Sequence, residues 1–551
     1  MKKIIFILGL AAVVLGTSCS DVLDLNPADR FSPATVWSTT TTADKYVIGL
    51  YSIFGANTEM RGGDAYASPR LSDAYSDILK STSWNQYNHN FNATLLQETA
   101  FNSNSAGAFE CWSSHYDRIR HENEFLRDAA EFGSKFGEDW LKIRIAEVRF
   151  CRAYAYFMLC RVYGGVILRT EVDGPEQNDK ARSTEEECWG FIINELKELA
   201  PDLPLKWDSD NSGRATQKAA YGLLSRVALY AEKWDVAAQA ARDCATAEGN
   251  LDLSKNGYAK IFELGINSPE VLFAVEFKSS VIDHAYDAYV RPSGDTKELG
   301  KQVYSGFVPT SELVDSYEMA GDGGNFSWEK HGKDPYANRE PRFYATILYN
   351  GADWMGRKIE SFVGGKDGYK AYENAGAAGT TVTGYYLRKY LIDGDKTWVT
   401  SGSGQDWIVL RYAEVLLNKA EALAMENWNK NSAEALQALN DVRARVGLPA
   451  RATADKETFL EYVRHERKVE LAGEGFRYWD LRRWRLAEKV IDGQNVHGVK
   501  ISKQSDGSFT YEQVDADGGH KRIFYDRYYR FAIPLSERSN NSLCTNNDGW
   551  I

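Results

Sequence analysis

Beyond its first fifteen residues the sequence has no apolar run long enough to cross a bilayer, which excludes a protein built of several membrane-spanning helices. No two of its 7 cysteines stand at C-x-x-C spacing, so neither a zinc site nor a disulfide framework is indicated. Packing in a core is the expected use of Cys111, Cys151, Cys160, Cys188, Cys244 and Cys544. Basic residues are in deficit: 65 Lys and Arg against 77 Asp and Glu leave a formal net charge of −12. That balance argues against nucleic acid and against an anionic membrane surface, and favours a neutral partner. There is no phosphate loop and no Ser-His-Asp signature. His465-Glu466 would begin a zinc-protease motif only if position 469 were histidine, and it is Val469. No loop has clear calcium-ligand spacing, so no metal or cofactor is assigned, and a bound calcium ion stays an open alternative. No hydrophilic low-complexity linker divides the chain, so one unit is expected after the leader.

What is present begins with MKKIIFILGLAAVVL, residues 1–15, where two lysines precede a short apolar stretch. This reads as a removable signal segment over residues 1–18. Gly16, Thr17 and Ser18 supply small side chains before Cys19, an arrangement that resembles the lipobox of bacterial lipoproteins. Cys19 is therefore the expected lipid attachment, and several acyl chains there would make a durable anchor. Asp21 and Asp24 resemble the signal that sends Bacteroidetes lipoproteins to the outer face of the outer membrane. The alternative is plain secretory cleavage with an ordinary Cys19.

Helical period dominates the rest. Residues 146–168, AEVRFCRAYAYFMLCRVYGGVIL, predict a long buried helix stopped by Gly164 and Gly165. Thr184 and Glu187 form a capping box ahead of the next helix, which Pro201 and Pro204 close. Residues 213–241 give two alanine-rich helices with a break at Glu232, Lys233 and Trp234, a pattern that looks like a tetratricopeptide unit. Residues 408–447 repeat the theme around a loop at 427–431. The expected fold is thus all-α dominated, with tetratricopeptide-like helix pairs within 40–250 and 405–490. A loop-rich insert over 270–406 carries a few short strands, among them VLFAVEF at 271–277. Trp37, Trp112, Trp140, Trp189, Trp234, Trp407 and Trp479 fall in these patterns and are assigned to the core.

Five blocks in order are more specific than any one of them. They are Cys19 with LDLNP at 23–27; EVRFCRAYAYFMLCRVYGGVIL at 147–168; and GRATQKAAYGLLSRVALY at 213–230. Then come LRYAEVLLNKAEAL at 410–423 with LNDVRARVGLP at 439–449, and HERKVELAGEGFRYWDLRRW at 465–484 with FAIPLSERSNNSLCTNNDGW at 531–550. The chain resembles the SusD-like (RagB/SusD) family of Bacteroidetes outer-membrane glycan-binding lipoproteins over essentially all of residues 19–551. The resemblance implies a non-enzymatic protein that captures oligosaccharide or polysaccharide as a lid on a SusC-like TonB-dependent transporter. Within the blocks, Glu466, Glu470, Glu474, Arg477, Arg482 and Arg483 have helical spacing and are expected to form solvated or semi-buried pairs.

Sugars present apolar C–H faces and many hydroxyls, so their binding needs aromatic platforms beside short polar groups, on loops. The segment 61–91 gathers Tyr66, Arg70, Asp73, Trp84, Tyr87 and Asn88 without helical or alternating period. The resemblance implies ligand contacts at this point, with Asp73 and Trp84 matching best in position. The competing reading has Trp84 pinning the loop and Asp73 capping a turn. A second cluster follows the 271–277 strand: Asp283, Tyr286, Tyr289, Arg291 and Tyr304. Trp328, Trp354 with Arg357, and Tyr385 or Tyr386 form a third group. Two alternative functions stay open: a glycoside hydrolase, which needs only a pair of carboxylates across a cleft, and a scaffold whose aromatics meet another protein.

Overall fold

The computed structural model describes residues 32–56, 71–82, 101–174, 179–371 and 380–550. The leader with Cys19, and Tyr66, Arg70, Trp84, Tyr87 and Asn88, lie outside the described residues.

Helices stack in chain order. Helix α1, Thr40–Leu50, lies on α2, Trp112–Phe132, and α3, Glu138–Tyr163; α4, Glu185–Leu199, packs on α3 and then on α5, Gln217–Tyr230. The pair α5 and α6, Trp234–Thr246, continues to α10, Tyr412–Arg445, and to α11, Lys456–Glu470. Each boundary has a local cause. Gly164 ends α3 with φ 76°, a left-handed conformation that side chains resist, and its N–H still reaches the Cys160 carbonyl at 2.9 Å. The Thr184–Glu187 capping box opens α4. Between α5 and α6 the chain reverses through Glu232 at φ 55°, and Ala219, Ala220, Ala228, Ala237 and Ala238 are buried, so the two backbones approach closely. This is the tetratricopeptide-like pairing that the alanine pattern predicted.

Short elements bridge the helical blocks. Strand β1, Leu79–Ser81, pairs antiparallel with β3, Phe307–Pro309. Strand β2, Val271–Val275, pairs with β6, Trp407–Arg411. The two-residue β4, Ile347–Leu348, pairs with β5, Tyr386–Leu387. Helices α7, Gly257–Leu264, α8, Tyr286–Val290, and α9, Pro341–Thr346, fill the spaces, and α12, Arg477–Arg483, follows α11. A hairpin of β7, His497–Lys503, and β8, Phe509–Asp515, lies near the end.

One expectation fails at β6. Residues 408–411 precede α10 as a strand, not as its first turn, because every side chain of β6 is buried and β2 supplies the ladder. The helix then runs from Tyr412 with a break at Asn427, where the sequence had placed a loop. The six cysteines outside the leader are buried and unbridged, as expected.

The acidic residues of α11 and beyond also depart from expectation. Glu466, Glu470 and Glu474 are buried, not solvated. Arg411 donates to Glu270 at 2.9 Å, Glu470 at 2.6 Å and Glu474 at 2.7 Å. Arg342 holds Glu340 at 2.6 Å and Glu470 at 2.9 Å, Arg443 holds Glu318 at 2.9 Å and Glu466 at 3.0 Å, and Arg445 holds Glu270 at 2.6 Å and also pairs with Glu470. Burial alone would raise Glu470, yet Arg445, Arg411 and Arg342 hold it well below the usual carboxylate range. The network joins α10, α11, β6 and α9 across long sequence separations, and removing one partner would strand charge in the interior.

Candidate functional site

The described end of the first segment chosen from the sequence meets the second cluster. Thr82, the last described residue before Trp84 in the chain, donates its N–H to the Gly306 carbonyl at 3.0 Å, extending the β1–β3 ladder. Gly306 in turn donates to the Tyr289 carbonyl at 2.6 Å, and Tyr304 to the Ala288 carbonyl at 2.7 Å. The rings of Tyr289 and Tyr304 lie 4.8 Å apart, tilted by 38°, with Tyr304 half-buried and Tyr289 6% exposed. Tyr304 is the partly open ring of this pair, backed by buried Tyr289; Trp328 is also half-buried and gives its indole N–H to Asp315 at 2.9 Å.

Other candidates are held inside. Asp73 is fully buried: Gly473 and Gly475 donate to one carboxyl oxygen at 2.9 and 3.2 Å, and Arg477 donates to the other at 2.9 Å. It caps the turn that enters α12, which is the capping alternative and not a sugar contact. Burial pushes its carboxyl up to about 7 against the pull of those three amides. Tyr286 is fully buried and its hydroxyl donates to the Lys389 carbonyl at 3.0 Å. Tyr385 is equally buried, edge-on to Tyr336 at 6.2 Å. Both serve as packing, Tyr286 at the start of α8 and Tyr385 just before β5, with no ring surface exposed.

Arg357 also has a structural task. Its guanidinium takes Asp367 through two bonds, 2.6 and 2.9 Å, and Asp295 at 2.7 Å. Asp295 accepts the Trp354 indole at 2.9 Å, while Arg291, fully buried, lies 5.2 Å from the ring centroids of both Trp354 and Trp398. The carboxylates hold Arg357 charged against the effect of burial.

A cleft of about 680 Å³ opens elsewhere, walled by α7, the start of α9, residues 388–391 and the residues that close α10. Its size is that of a small-molecule site. Tyr258, Phe262, Tyr344 and Tyr390 supply rings, and Arg388, Lys389, Arg339, Arg445 and Lys260 supply cations. Lys389 sits 4.6 Å from the Phe262 ring centroid and 2.9 Å from Glu474, and burial pulls its amine down to about 8. The sequence reading missed this cleft. Arg388, Lys389 and Tyr390 follow the singled-out Tyr385 and Tyr386 after one leucine, so the basic pair among those tyrosines was the available signal.

A stacked helix-pair scaffold interrupted by loop-built clefts defines the class of protein. The particular family follows from comparison: residues 269–550 match the SusD family, and residues 21–229 match a second model described as starch-binding associating with outer membrane. The chain belongs to the SusD family. A SusD-like protein of Bacteroides ovatus is 25% identical over 547 residues, covering 94% of this chain and 90% of the relative. Among solved structures, a SusD-like protein of Bacteroides fragilis superposes with a TM-score of 0.79 at 27% identity, covering 94% of this chain and 98% of that one. A SusD-like carbohydrate binding protein, also from Bacteroides fragilis, has a TM-score of 0.77 at 24% identity over 92% and 99% of the two chains.

Proposed function

We propose that this protein is a non-catalytic glycan-binding lipoprotein. It is held at the outer face of the outer membrane by lipid on Cys19 and passes oligosaccharide or polysaccharide to a SusC-like TonB-dependent transporter. The observation that carries the reading is family membership over both halves of the chain, the amino-terminal half matching a model described as starch-binding associating with outer membrane. The carbohydrate-binding name of the second Bacteroides fragilis structure points the same way. The Tyr289–Tyr304 pair, beside the point where the chain runs on toward Trp84, supplies the chemistry such binding needs.

The sugar contacts proposed are Trp84, Tyr66, Arg70, Tyr87 and Asn88, from the sequence, together with Tyr289 and Tyr304. Purified residues 20–551 should bind at least one member of a panel of plant, host and microbial oligosaccharides and return it uncut. Trp84→Ala should weaken that binding, and Tyr304→Ala should do the same; full affinity in both variants would remove this face from consideration. Cys19→Ala should abolish surface retention while leaving glycan affinity in the purified protein intact. Release of reducing sugar would turn the reading into a hydrolase.

A further inference from the structure

We propose that the 680 Å³ cleft between α7, α9 and α10 binds the acidic group of an anionic oligosaccharide, a carboxylate or sulfate on the sugar ring. This adds a second contact region to the glycan-binding reading and rests on it.

The argument turns on which cations of the cleft already have a counter-charge. Lys389 and Arg445 do: Glu474 holds the first at 2.9 Å, and Glu270 holds the second at 2.6 Å. They belong to the buried network that forms the cleft floor. Arg388, Arg339 and Lys260 differ, since none has a carboxylate within ion-pair distance among the described residues. Arg339, 2% exposed, donates to the carbonyls of Pro335 at 3.1 Å, Val314 at 2.5 Å and Tyr317 at 2.8 Å. Arg388 is half-buried; its guanidinium donates to the Tyr344 carbonyl at 3.3 Å and lies 6.0 Å from the Trp354 ring centroid. Lys260 is exposed on α7, and the wall's acidic residue is Glu263, one position past Phe262.

A chain of net charge −12 repels acidic ligands at long range. Screening limits that repulsion to about 8–10 Å in physiological salt, so a local excess of cations governs what enters the cleft. A guanidinium withdrawn from water without an anion is costly, and an entering carboxylate or sulfate supplies one through charge-assisted hydrogen bonds. Neutral sugar would gain the ring contacts but leave the cations unmatched. The half-buried ring of Tyr344, beside Arg388, gives the sugar's C–H face a place next to its acid.

The test is calorimetric titration of residues 20–551 with tetrasaccharides of three kinds: galacturonate, sulfated galactan, and neutral glucan. Each is measured at low and high sodium chloride. Variants are Arg388→Glu, Lys260→Glu, and Lys430→Glu as an equal charge change on an exposed part of α10 outside the cleft. At least one acidic ligand should bind about ten-fold more tightly than the neutral one, as one charge-assisted bond supplies. High salt should shrink that margin; Arg388→Glu should erase it, Lys260→Glu should reduce it, and Lys430→Glu should leave it. Which acidic arm responds identifies carboxylate or sulfate. Neutral sugar bound well with acidic sugar ignored would overturn this inference while sparing the glycan-binding reading. Acidic binding indifferent to both cleft variants would also overturn it. No binding in any arm would sink both.

Discussion

Two groups of cations a few residues apart in space live under different rules. In the seam of α9, α10, α11 and β6, Arg342, Arg411, Arg443 and Arg445 each meet buried carboxylates and have no role left to play toward a ligand. In the cleft wall, Arg388, Arg339 and Lys260 have no such partner among the described residues. The first group orders the scaffold, because its partners come from distant segments and each pair pins two of them. Arg388 and Lys260, half-buried and exposed, are what the scaffold can offer a ligand without weakening itself, whereas Arg339 also holds three backbone carbonyls. A charged residue in this fold is therefore read by its partners and not by its burial alone.

The comparison breaks if the two groups respond alike to mutation. Arg411→Ala should give the largest effect, since it takes a buried partner from Glu270, Glu470 and Glu474 at once and leaves Glu474 with Lys389 alone: a loss of about 3–5 kcal/mol in urea unfolding. A loss below about 1 kcal/mol would mean the network is not what ties these elements together.

Glu122 on α2 sharpens the contrast, as a buried carboxyl in the scaffold with neither oxygen hydrogen-bonded among the described residues. Burial raises its carboxyl to about 8 from 4.5, with Arg152 and Arg118 pulling the other way. The folded form then keeps a proton that the unfolded chain loses above 4.5. Its contribution is complete below that pH and is lost as pH rises to about 8. The slope should approach about 1.4 kcal/mol per pH unit within the window. Glu122→Gln should flatten it, and an unchanged pH profile of melting would contradict the assignment.

Arg388→Ala should move stability least, by under about 0.5 kcal/mol, because no carboxylate is stranded. Its effect belongs to acidic-sugar affinity instead. A large stability loss there would place Arg388 with the scaffold and merge the two groups.

Much of the scaffold was legible in sequence because its signals are local. The Thr184–Glu187 box, the Gly164 stop and the alanine faces of α5 and α6 each act within a few residues. What was not legible depends on distant partners. The run 408–411 is apolar whether helix or strand, and only β2 makes it β6. Glu466, Glu470 and Glu474 have the spacing of surface pairs, and it is distant cations, Arg342, Lys389, Arg411, Arg443 and Arg445, that draw them inside. The site was less legible than the fold. Asp73, Tyr286 and Tyr385 have the right chemistry for sugar, but residue type does not state direction, and they point into the interior. Tyr289 and Tyr304 had the same chemistry and lie 4.8 Å apart, beside the Gly306 that accepts from Thr82.

The most direct test of the central claim is affinity measurement of purified residues 20–551 against the oligosaccharide panel, with the recovered sugars sized afterwards. The account predicts saturable binding, of about micromolar strength, to at least one glycan that is recovered at its original length. Failure to bind any member, or recovery of shortened chains, would contradict it.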